Sequence, residues 1–255
     1  MPFQLTIEQW HRRFEQQARW TQDLRRYLYA KADLAGARGV LDVGCGTGAL
    51  LGELCSQTRG EVYGLDISTA HLEMAMRKSP AANFIRGDAH AMPFPSHTLD
   101  IALCHFVLLW VSDPLQVVCE MRRIVRPGGK VLALAEPDYD GRIDYPDRLA
   151  RLGSLQRESL RHQGAQPGIG RRLRAIFHQA GLMDIESGAL GGQWASLPSQ
   201  EEWRSEWDVL ESDLAHLTTE DLDLESLQSE DWDAWQMGER VLYVPTFYAS
   251  GVVPG

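Results

Sequence analysis

A glycine-rich run between residues 40 and 50 carries the residue types best suited to holding a ligand against bare backbone. It reads Val-Leu-Asp-Val-Gly-Cys-Gly-Thr-Gly-Ala-Leu and changes from an apolar strand into a turn with Gly44, Gly46 and Gly48 at alternate positions. Glycine has no Cβ, so such a turn can adopt positive φ and let a ligand approach closely. The next residues are typical of a helix, and a strand–turn–helix unit presents backbone amides to a ligand. The run therefore predicts a ligand-binding loop.

Three aspartates stand at matching places around this loop. Asp42 lies two residues before the first glycine, while Asp66 and Asp88 follow the next two apolar segments. A carboxylate accepts two hydrogen bonds at once, which suits a pair of ribose hydroxyls at Asp66. Asp42 puts negative charge near the loop, where a cation or an amine would be favoured over a pyrophosphate. The pattern favours a cationic nucleoside with a free amine.

The same residues also fit other hypotheses. Gly44-x-Gly46-x-x-Ala49 matches the dinucleotide fingerprint, with Asp66 about 20 residues further on. An NAD(P)-dependent oxidoreductase that uses this loop is therefore an alternative. A third hypothesis is a catalytically silent cofactor-binding protein whose acidic segment, residues 198–235, holds a protein partner.

In their order and spacing, the glycine run, Asp66, Gly87-Asp88-Ala89 and Arg126-Pro127-Gly128-Gly129 resemble the class I S-adenosylmethionine-dependent methyltransferases, in the broad small-molecule (type 11/25-like) group. The likeness covers residues 39–135. It implies S-adenosyl-L-methionine as cofactor and S-adenosyl-L-homocysteine as product. It also implies an α/β fold, a Rossmann-like three-layer sandwich whose seven-stranded, mostly parallel sheet has the order 3-2-1-4-5-7-6 with strand 7 antiparallel. The cofactor-binding residues that it implies are Asp42, Gly44, Cys45, Gly46, Asp66, Ile67, Asp88, Ala89, Cys104 and His105.

The elements that position these residues alternate between strands and helices. Apolar strands are predicted at 39–43, 61–66, 83–86, 99–104 and 130–135, with helices near 49–57, 68–78 and 115–125 between them. This alternation indicates βαβ units and a parallel sheet. Residues 126–129 are predicted as a turn before the fifth strand, and residues 240–250 as a closing strand with Pro245 inside it.

The domain organisation follows from these elements. We expect an N-terminal helical lid at residues 1–38 and a methyltransferase domain at residues 39–255, with helical insertions at about 140–170 and 198–238. Helical spacing predicts one helix over residues 4–31. Its basic side chains include Arg25, which would reach an anionic group of the cofactor. An apolar stripe in the acidic segment predicts packing against the domain.

Residues beyond the carboxyl ends of the strands are candidates for binding the acceptor and for the chemistry. His105 follows the fourth strand and Glu136 follows the fifth, and either is a candidate general base. Methyl transfer from a sulfonium is an in-line displacement, so positioning and exclusion of water can supply much of the rate. The candidate substrate-binding residues are Trp110, Tyr139 and Trp194. The absence of an Asn-Pro-Pro-aromatic run after the fourth strand and of paired cysteines leaves, by elimination, a small organic acceptor methylated at oxygen, nitrogen or carbon.

The composition of the whole chain limits its partners. A net charge of −10 argues against a nucleic acid. The four cysteines form no Cys-x-x-Cys pair and no metal-ligand spacing, so no metal is predicted. The N-terminus lacks the pattern of a signal peptide, and no apolar run approaches the ~20 residues of a membrane helix. We therefore expect a cytoplasmic protein with a small-molecule substrate and no membrane partner; the sequence does not indicate an oligomeric state.

Overall fold

A seven-stranded sheet forms the centre of the protein. The structure is a computed structural model that describes residues 5–191, 197–215, 217 and 223–255. The strands are β1 (Gly39–Val43), β2 (Glu61–Asp66), β3 (Asn83–Arg86), β4 (Leu99–Cys104), β5 (Val125–Pro137), β6 (Ile143–Tyr145), β7 (Met183–Ala189), β8 (Val241–Tyr243) and β9 (Thr246–Val252). The order of the central sheet is β3-β2-β1-β4-β5-β9-β7, and β9 is antiparallel to both of its neighbours. The predicted fold class is confirmed, with β7 and β9 in the places of the sixth and seventh strands.

Helices cover both faces of this sheet. They are α1 (Ile7–Trp20), α2 (Gln22–Lys31), α3 (Leu51–Gln57), α4 (Thr69–Lys78), α5 (Pro114–Ile124), α6 (Ala150–His162), α7 (Leu173–Gln179), α8 (Gln200–Leu214) and α9 (Leu224–Gln236). One apolar core joins α5 and α7 to the sheet, through residues such as Met121 and Phe177. A second core joins α2, α3 and α4 to the sheet, through Leu28, Leu54 and Leu72. Burial on both faces explains why β1 and β4 read as continuous rather than alternating apolar runs.

The N-terminal segment forms two helices, so the prediction of a single helix over residues 4–31 is wrong. The break lies at Thr21, which has φ −104° and ψ 7° and ends α1. The Thr21 hydroxyl lies 3.3 Å from the carbonyl oxygens of Gln17 and Ala18 and 2.6 Å from the Arg25 guanidinium. A hydroxyl that bonds to the preceding turn competes with regular helical hydrogen bonding. Helices lie on both sides of Thr21, so helical spacing alone did not reveal the break.

Residues 240–250 form two strands rather than the single predicted closing strand. β8 pairs antiparallel with β6 in a separate two-stranded sheet, whereas β9 joins the central sheet. Pro245 lies between them; it has no N–H for a ladder, and its carbonyl accepts from the Asp138 amide at 2.7 Å. The chain thus changes sheets at a residue that cannot continue a strand.

The fifth strand is longer at both ends than predicted. β5 includes residues 126–129, which the sequence predicted as a turn. Gly128 has φ 80°, yet its amide donates to the Val253 carbonyl at 2.9 Å, and the pairing register with β4 shifts between Leu99 and Ile101. The glycines bend this end of the strand without ending its pairing.

The inserted helices form a third apolar cluster away from the sheet. Leu149 and Leu152, at the start of α6, pack with Trp207, Leu210 and Leu214 of α8 and with Ala234 of α9. The apolar stripe of the acidic segment therefore packs within the protein, as predicted. Within the described ranges, no helix has the length and apolar character needed to cross a bilayer. The same part of the chain contains no cluster of His, Cys, Asp and Glu suited to a metal ion.

Candidate active site

The glycine loop adopts the backbone shape that its sequence predicts. Gly44, Gly46 and Gly48 have φ values of 68°, 52° and 84°, which residues with a Cβ rarely adopt. The Gly44 amide donates to the carbonyl of Leu65 at 2.7 Å, which ties the loop to β2. A Cβ on Gly44 would lie 2.6 Å from the side chain of Val107. The loop is therefore held against two strand ends at distances that only glycine tolerates.

Asp66 is the last residue of β2, and its carboxylate accepts hydrogen bonds from the backbone in and near the glycine loop. Its Oδ2 accepts from the Gly46 amide at 2.9 Å, and its Oδ1 accepts from the Ser68 amide at 2.8 Å. Burial alone would raise the pKa of this carboxyl, but the His71 ring 3.7 Å away and hydrogen bonds from the Ser68 and Gly46 amides outweigh it and hold the pKa below its ordinary value. Asp66 is thus a buried carboxylate that stays ionised at neutral pH, in a position to accept from a ligand's hydroxyls.

Asp42 lies in the buried strand β1, beside Asp66. Burial and the charge of Asp66 raise the pKa of Asp42 to about 8, while the charge of Arg25 opposes the rise. A positive charge placed nearby would lower that pKa and favour the ionised form. Cys45 is also buried, and burial followed by the charges of Asp42 and Asp66 raises the pKa of its thiol. The site therefore gains electrostatically from a cationic ligand.

Three further predicted residues follow the ends of β2 and β3. Ile67 is 67% exposed, an apolar face open to solvent. The Asp88 carboxylate accepts from the backbone and ring nitrogens of His90 at 2.9 and 2.7 Å. These hydrogen bonds lower the pKa of Asp88. Ala89 is partly buried and packs against the core beside it.

Helix α1 covers the glycine loop. His11 Nδ1 lies 2.8 Å from the hydroxyl of the fully buried Thr47. The ring of Phe14 would meet a Cβ on Gly46 at 3.2 Å, and it packs edge-on against His71. Sequence reasoning missed these three contacts, because hydrogen bonds between distant segments leave no periodic pattern. The one available signal was the aromatic pair Trp10 and Phe14, one turn apart on a charged helix.

Arg25 points into the protein. Its guanidinium donates to the Ala18 carbonyl and the Thr21 hydroxyl and pairs with the Glu53 carboxylate. The sequence predicted an anionic ligand group at this place. In the structure the anion is Glu53 instead, so Arg25 ties α2 to α3 and, through Ala18, to α1 across the break at Thr21.

Cys104 ends the fourth strand and His105 follows it, as predicted; Cys104 is fully buried and His105 is partly buried. The Nε2 of His105 lies 2.9 Å from the Thr21 hydroxyl. Burial, with a smaller contribution from the charge of Arg25, lowers the pKa of His105 to about 3. Cys104 is fully buried, and burial followed by the charge of Glu136 raises the pKa of its thiol. A histidine that stays neutral and weakly basic is poorly suited to the predicted role of general base at neutral pH.

Glu136 is fully buried at the end of β5. Its Oε1 accepts from the amides of Val107 and Leu108 at 2.9 and 3.0 Å, and its Oε2 accepts from the Leu109 amide at 3.2 Å. Burial raises the pKa of Glu136 to about 7, although the three amides oppose the rise. Phe106, just before this turn, has φ 57°, an uncommon conformation for a side chain of its size. The carboxylate is occupied in shaping the loop after β4, which argues against the predicted role of base.

Replacing Glu136 with Ala is expected to lower the free energy of unfolding by about 2–4 kcal/mol, because three buried amides lose their acceptor. Urea unfolding measures the change. Glu136→Gln is the control: one oxygen remains for Val107 and Leu108, so the loss should be smaller. Equal stability of Glu136→Ala and the wild type would contradict the anchoring role.

Two of the three predicted substrate-binding residues follow strand ends in the structure. Trp110 is 48% exposed on the loop after β4. Tyr139 follows β5 and is partly buried against the core. Trp194 lies outside the described residues.

The comparison with known proteins agrees with this geometry. A family model described as a methyltransferase domain matches residues 41–133. A demethylmenaquinone methyltransferase of Lysinibacillus sphaericus is 31% identical over 204 residues, which cover 72% of this chain and 85% of that protein. The chain belongs to the class I S-adenosylmethionine-dependent methyltransferases. An uncharacterized 37.1 kDa protein in transposon TN4556 of Streptomyces fradiae is 40% identical over 136 residues, covering 50% of this chain and 39% of that protein.

Solved structures of methyltransferases share this fold. One is phosphoethanolamine N-methyltransferase 2 of Haemonchus contortus in complex with phosphomonomethylethanolamine and S-adenosylhomocysteine. Its TM-score is 0.61 at 18% identity, and the match covers 92% of this chain and 53% of that one. The predicted family and the predicted cofactor, S-adenosyl-L-methionine, are both confirmed. The comparisons give no support to a nicotinamide-dependent oxidoreductase or to a catalytically silent protein.

The residues present fit this methyltransferase's cofactor. The loop at Gly44–Gly48 has the positive φ values that expose its backbone and is closed by an ionised Asp66. Asp42 adds a carboxyl whose ionised form a positive charge would stabilise. A cation with hydroxyls therefore suits the site better than a pyrophosphate, which would meet two buried acids.

Proposed function

We propose that this methyltransferase moves a methyl group from S-adenosyl-L-methionine to an oxygen, nitrogen or carbon atom of a small organic acceptor by in-line displacement. The cofactor supplies a methyl group on a positively charged sulfur that is already a good leaving group. The chain's own task is then to hold both partners in line and exclude water. The observation that carries the proposal is the positive-φ glycine loop enclosed by Asp42 and Asp66.

Apart from Arg25, each predicted cofactor-binding residue has a role in this proposal. Asp66 accepts from the two ribose hydroxyls, and Asp88 accepts from the adenine amine. Ile67 covers one face of the adenine, which would bury an apolar side chain that is now 67% exposed. Asp42 and the backbone of Gly44–Gly46 face the methionine part. Cys104 and His105 line the space beside the sulfur, with Ala89 at the adenine ring.

The direct test has two stages. Isothermal titration with S-adenosylhomocysteine measures cofactor binding, with NADPH as the negative control. Mass spectrometry then follows a gain of one methylene in a panel of acceptors. The panel begins with a demethylmenaquinone analogue, because a relative carries that name. Binding of NADPH in place of S-adenosylhomocysteine would overturn the proposal.

The stability of the protein is expected to depend on pH through the protonation of His105. Its pKa in the folded protein, about 3, is below the ordinary value of 6.5, so only the unfolded chain takes up this proton as the pH falls from 6.5 towards 3. His105 therefore contributes stability at pH 7 that is lost on acidification. Relative to His105→Gln, the wild type should lose about 1–2 kcal/mol between pH 7 and pH 5.

Urea unfolding at the two pH values measures this difference. The control is His162→Gln, on an exposed side chain at the end of α6, which should track the wild type. A constant difference between the wild type and His105→Gln would show that His105 is not held neutral.

A further inference from the structure

A cavity of about 360 Å³ lies between the lid helix α1 and the inserted helices. Four indole rings line it: Trp20 at the end of α1, Trp203 and Trp207 on α8, and Trp235 on α9. It is open on one side, where Trp20 is 49% exposed. Its volume is near the small end of the range for ligand pockets. None of the residues assigned to cofactor binding lines it.

Two of these rings are fixed by a single buried carboxylate. Asp231 Oδ2 accepts from Trp203 Nε1 at 2.7 Å and from Trp207 Nε1 at 2.9 Å. Asp231 Oδ1 accepts from the guanidinium of Arg240, whose side chain is 1% exposed, at 2.6 Å. The indole N–H groups are therefore already used, and the rings are set in place before any ligand arrives.

The other polar groups of the wall are also paired with one another. Arg142 pairs with Asp144 and donates to Gln156. Glu206 pairs with Arg13, whose guanidinium also lies 4.7 Å from the centre of the Trp20 ring. A wall whose polar groups are mutually satisfied recognises a ligand mainly through its aromatic and apolar faces.

Most of the charges around the cavity are paired. The ionisable residues that line it are Glu202, Glu206, Asp231, Arg142 and Arg240. Four of these five form ion pairs: Glu206 with Arg13, Arg142 with Asp144, and Arg240 with both Asp144 and Asp231. Because these charges are already paired, the wall favours a neutral ligand that binds through the indole faces.

Two links connect the cavity to the carboxyl edge of the sheet. Trp20 is followed directly by Thr21, whose hydroxyl contacts His105 at the end of β4. Arg142, which lines the cavity, donates its backbone amide to the carbonyl of Tyr139, just beyond β5, at 3.3 Å. The cavity thus adjoins the strand ends where open α/β sheets bind their ligands.

We propose that this cavity is the acceptor site and that it takes a neutral, flat aromatic molecule of one or two fused rings, held by stacking on the indoles. This inference rests on the proposed methyl transfer to a small acceptor and names the class of that acceptor. Stacking and edge-on aromatic contacts each strengthen binding by about twofold to tenfold beyond the effect of the area that they bury.

The test uses 1-naphthol as the probe in isothermal titration, with the protein saturated by S-adenosylhomocysteine. We expect 1-naphthol to bind and its saturated counterpart, 1-decalol, to bind at least tenfold more weakly. Trp235→Leu removes one flat face and should weaken 1-naphthol about tenfold. The matched control is Trp232→Leu, three residues away on the same helix; Trp232 packs on Trp203 but does not line the cavity, and the change should be within twofold.

Two further measurements keep the outcomes distinguishable. The affinity for S-adenosylhomocysteine should stay within twofold of the wild type in both variants. If the wild type itself does not bind S-adenosylhomocysteine, the proposed function is overturned rather than the assignment of the cavity. If Trp235→Leu fails to fold, Trp20→Leu takes its place, because that ring is about half exposed. Equal weakening by Trp232→Leu, or tighter binding of choline than of 1-naphthol, would overturn the aromatic assignment.

Discussion

Replacing Asp66 with Asn is expected to weaken S-adenosylhomocysteine binding by roughly 100-fold, or about 3 kcal/mol. Hydrogen bonds to a charged group contribute about 1.5–3 kcal/mol each. An ionised carboxylate can accept from both ribose hydroxyls, whereas the side-chain amide of Asn has one neutral oxygen that accepts. The change also reaches the loop, because Asp66 accepts from the Gly46 and Ser68 amides. Isothermal titration at pH 7.5, with circular dichroism to confirm folding, measures the effect.

Two carboxylates serve as controls for that result. Asp88→Asn should cost about tenfold or less, because this side chain is 56% exposed and a single contact to the cofactor is proposed for it. Asp208→Asn, on α8 and paired with Arg204 on the same helix, should leave the affinity unchanged. Binding by Asp66→Asn within threefold of the wild type would contradict the proposed ribose contact.

The central sheet was predictable because its signals are local. The glycines at 44, 46 and 48 encode the positive φ of the loop, and buried strands such as β1 and β4 read as apolar runs. Their alternation with helices gives the parallel sheet, since parallel strands need crossover connections. The family resemblance added the strand order that spacing alone does not determine.

The break at Thr21 and the roles of Glu136 and His105 depend on contacts between distant residues. Thr21 ends α1 beside His105, which is 84 positions away in the chain. Glu136 and the loop that it holds are separated by 27–29 positions. A titratable residue that follows a strand can serve in catalysis or can hold a loop in place. Its burial decides between these roles, and burial is known only once the neighbouring residues are known.

The contacts of the inserted helices were also only partly predictable from the sequence. The stripe of Trp203, Trp207 and Leu210 predicted that α8 packs inward, which it does. The stripe did not predict that the indole N–H groups converge on Asp231, because that carboxylate is 24 and 28 positions further along. Sequence reasoning treated the acidic segment as packed through its apolar stripe or as a surface for a protein partner, whereas one of its carboxylates is buried at the centre of a network.

Replacing Asp231 with Ala is expected to lower the free energy of unfolding by about 3–5 kcal/mol, the usual cost of leaving a buried charge without its partner. Arg240 would keep Asp144, 2.8 Å away, but lose the carboxylate at its Nε. Two indole N–H groups would lose their acceptor in the same step. Urea unfolding measures the loss as a lower midpoint, with the slope of the transition showing whether it remains two-state.

The matched control is Asp208→Ala, on the neighbouring helix α8. Asp208 pairs with an exposed guanidinium one turn away, Arg204, and such pairs contribute about 0.3–0.5 kcal/mol. Because Asp231 contacts neither the glycine loop nor the strand ends in the hydrogen bonds described above, the folded Asp231→Ala variant should bind S-adenosylhomocysteine within twofold of the wild type. Its affinity for 1-naphthol should fall, since the rings at Trp203 and Trp207 are no longer held. Parallel loss of both affinities would mean that the carboxylate supports the whole fold rather than the wall of the cavity.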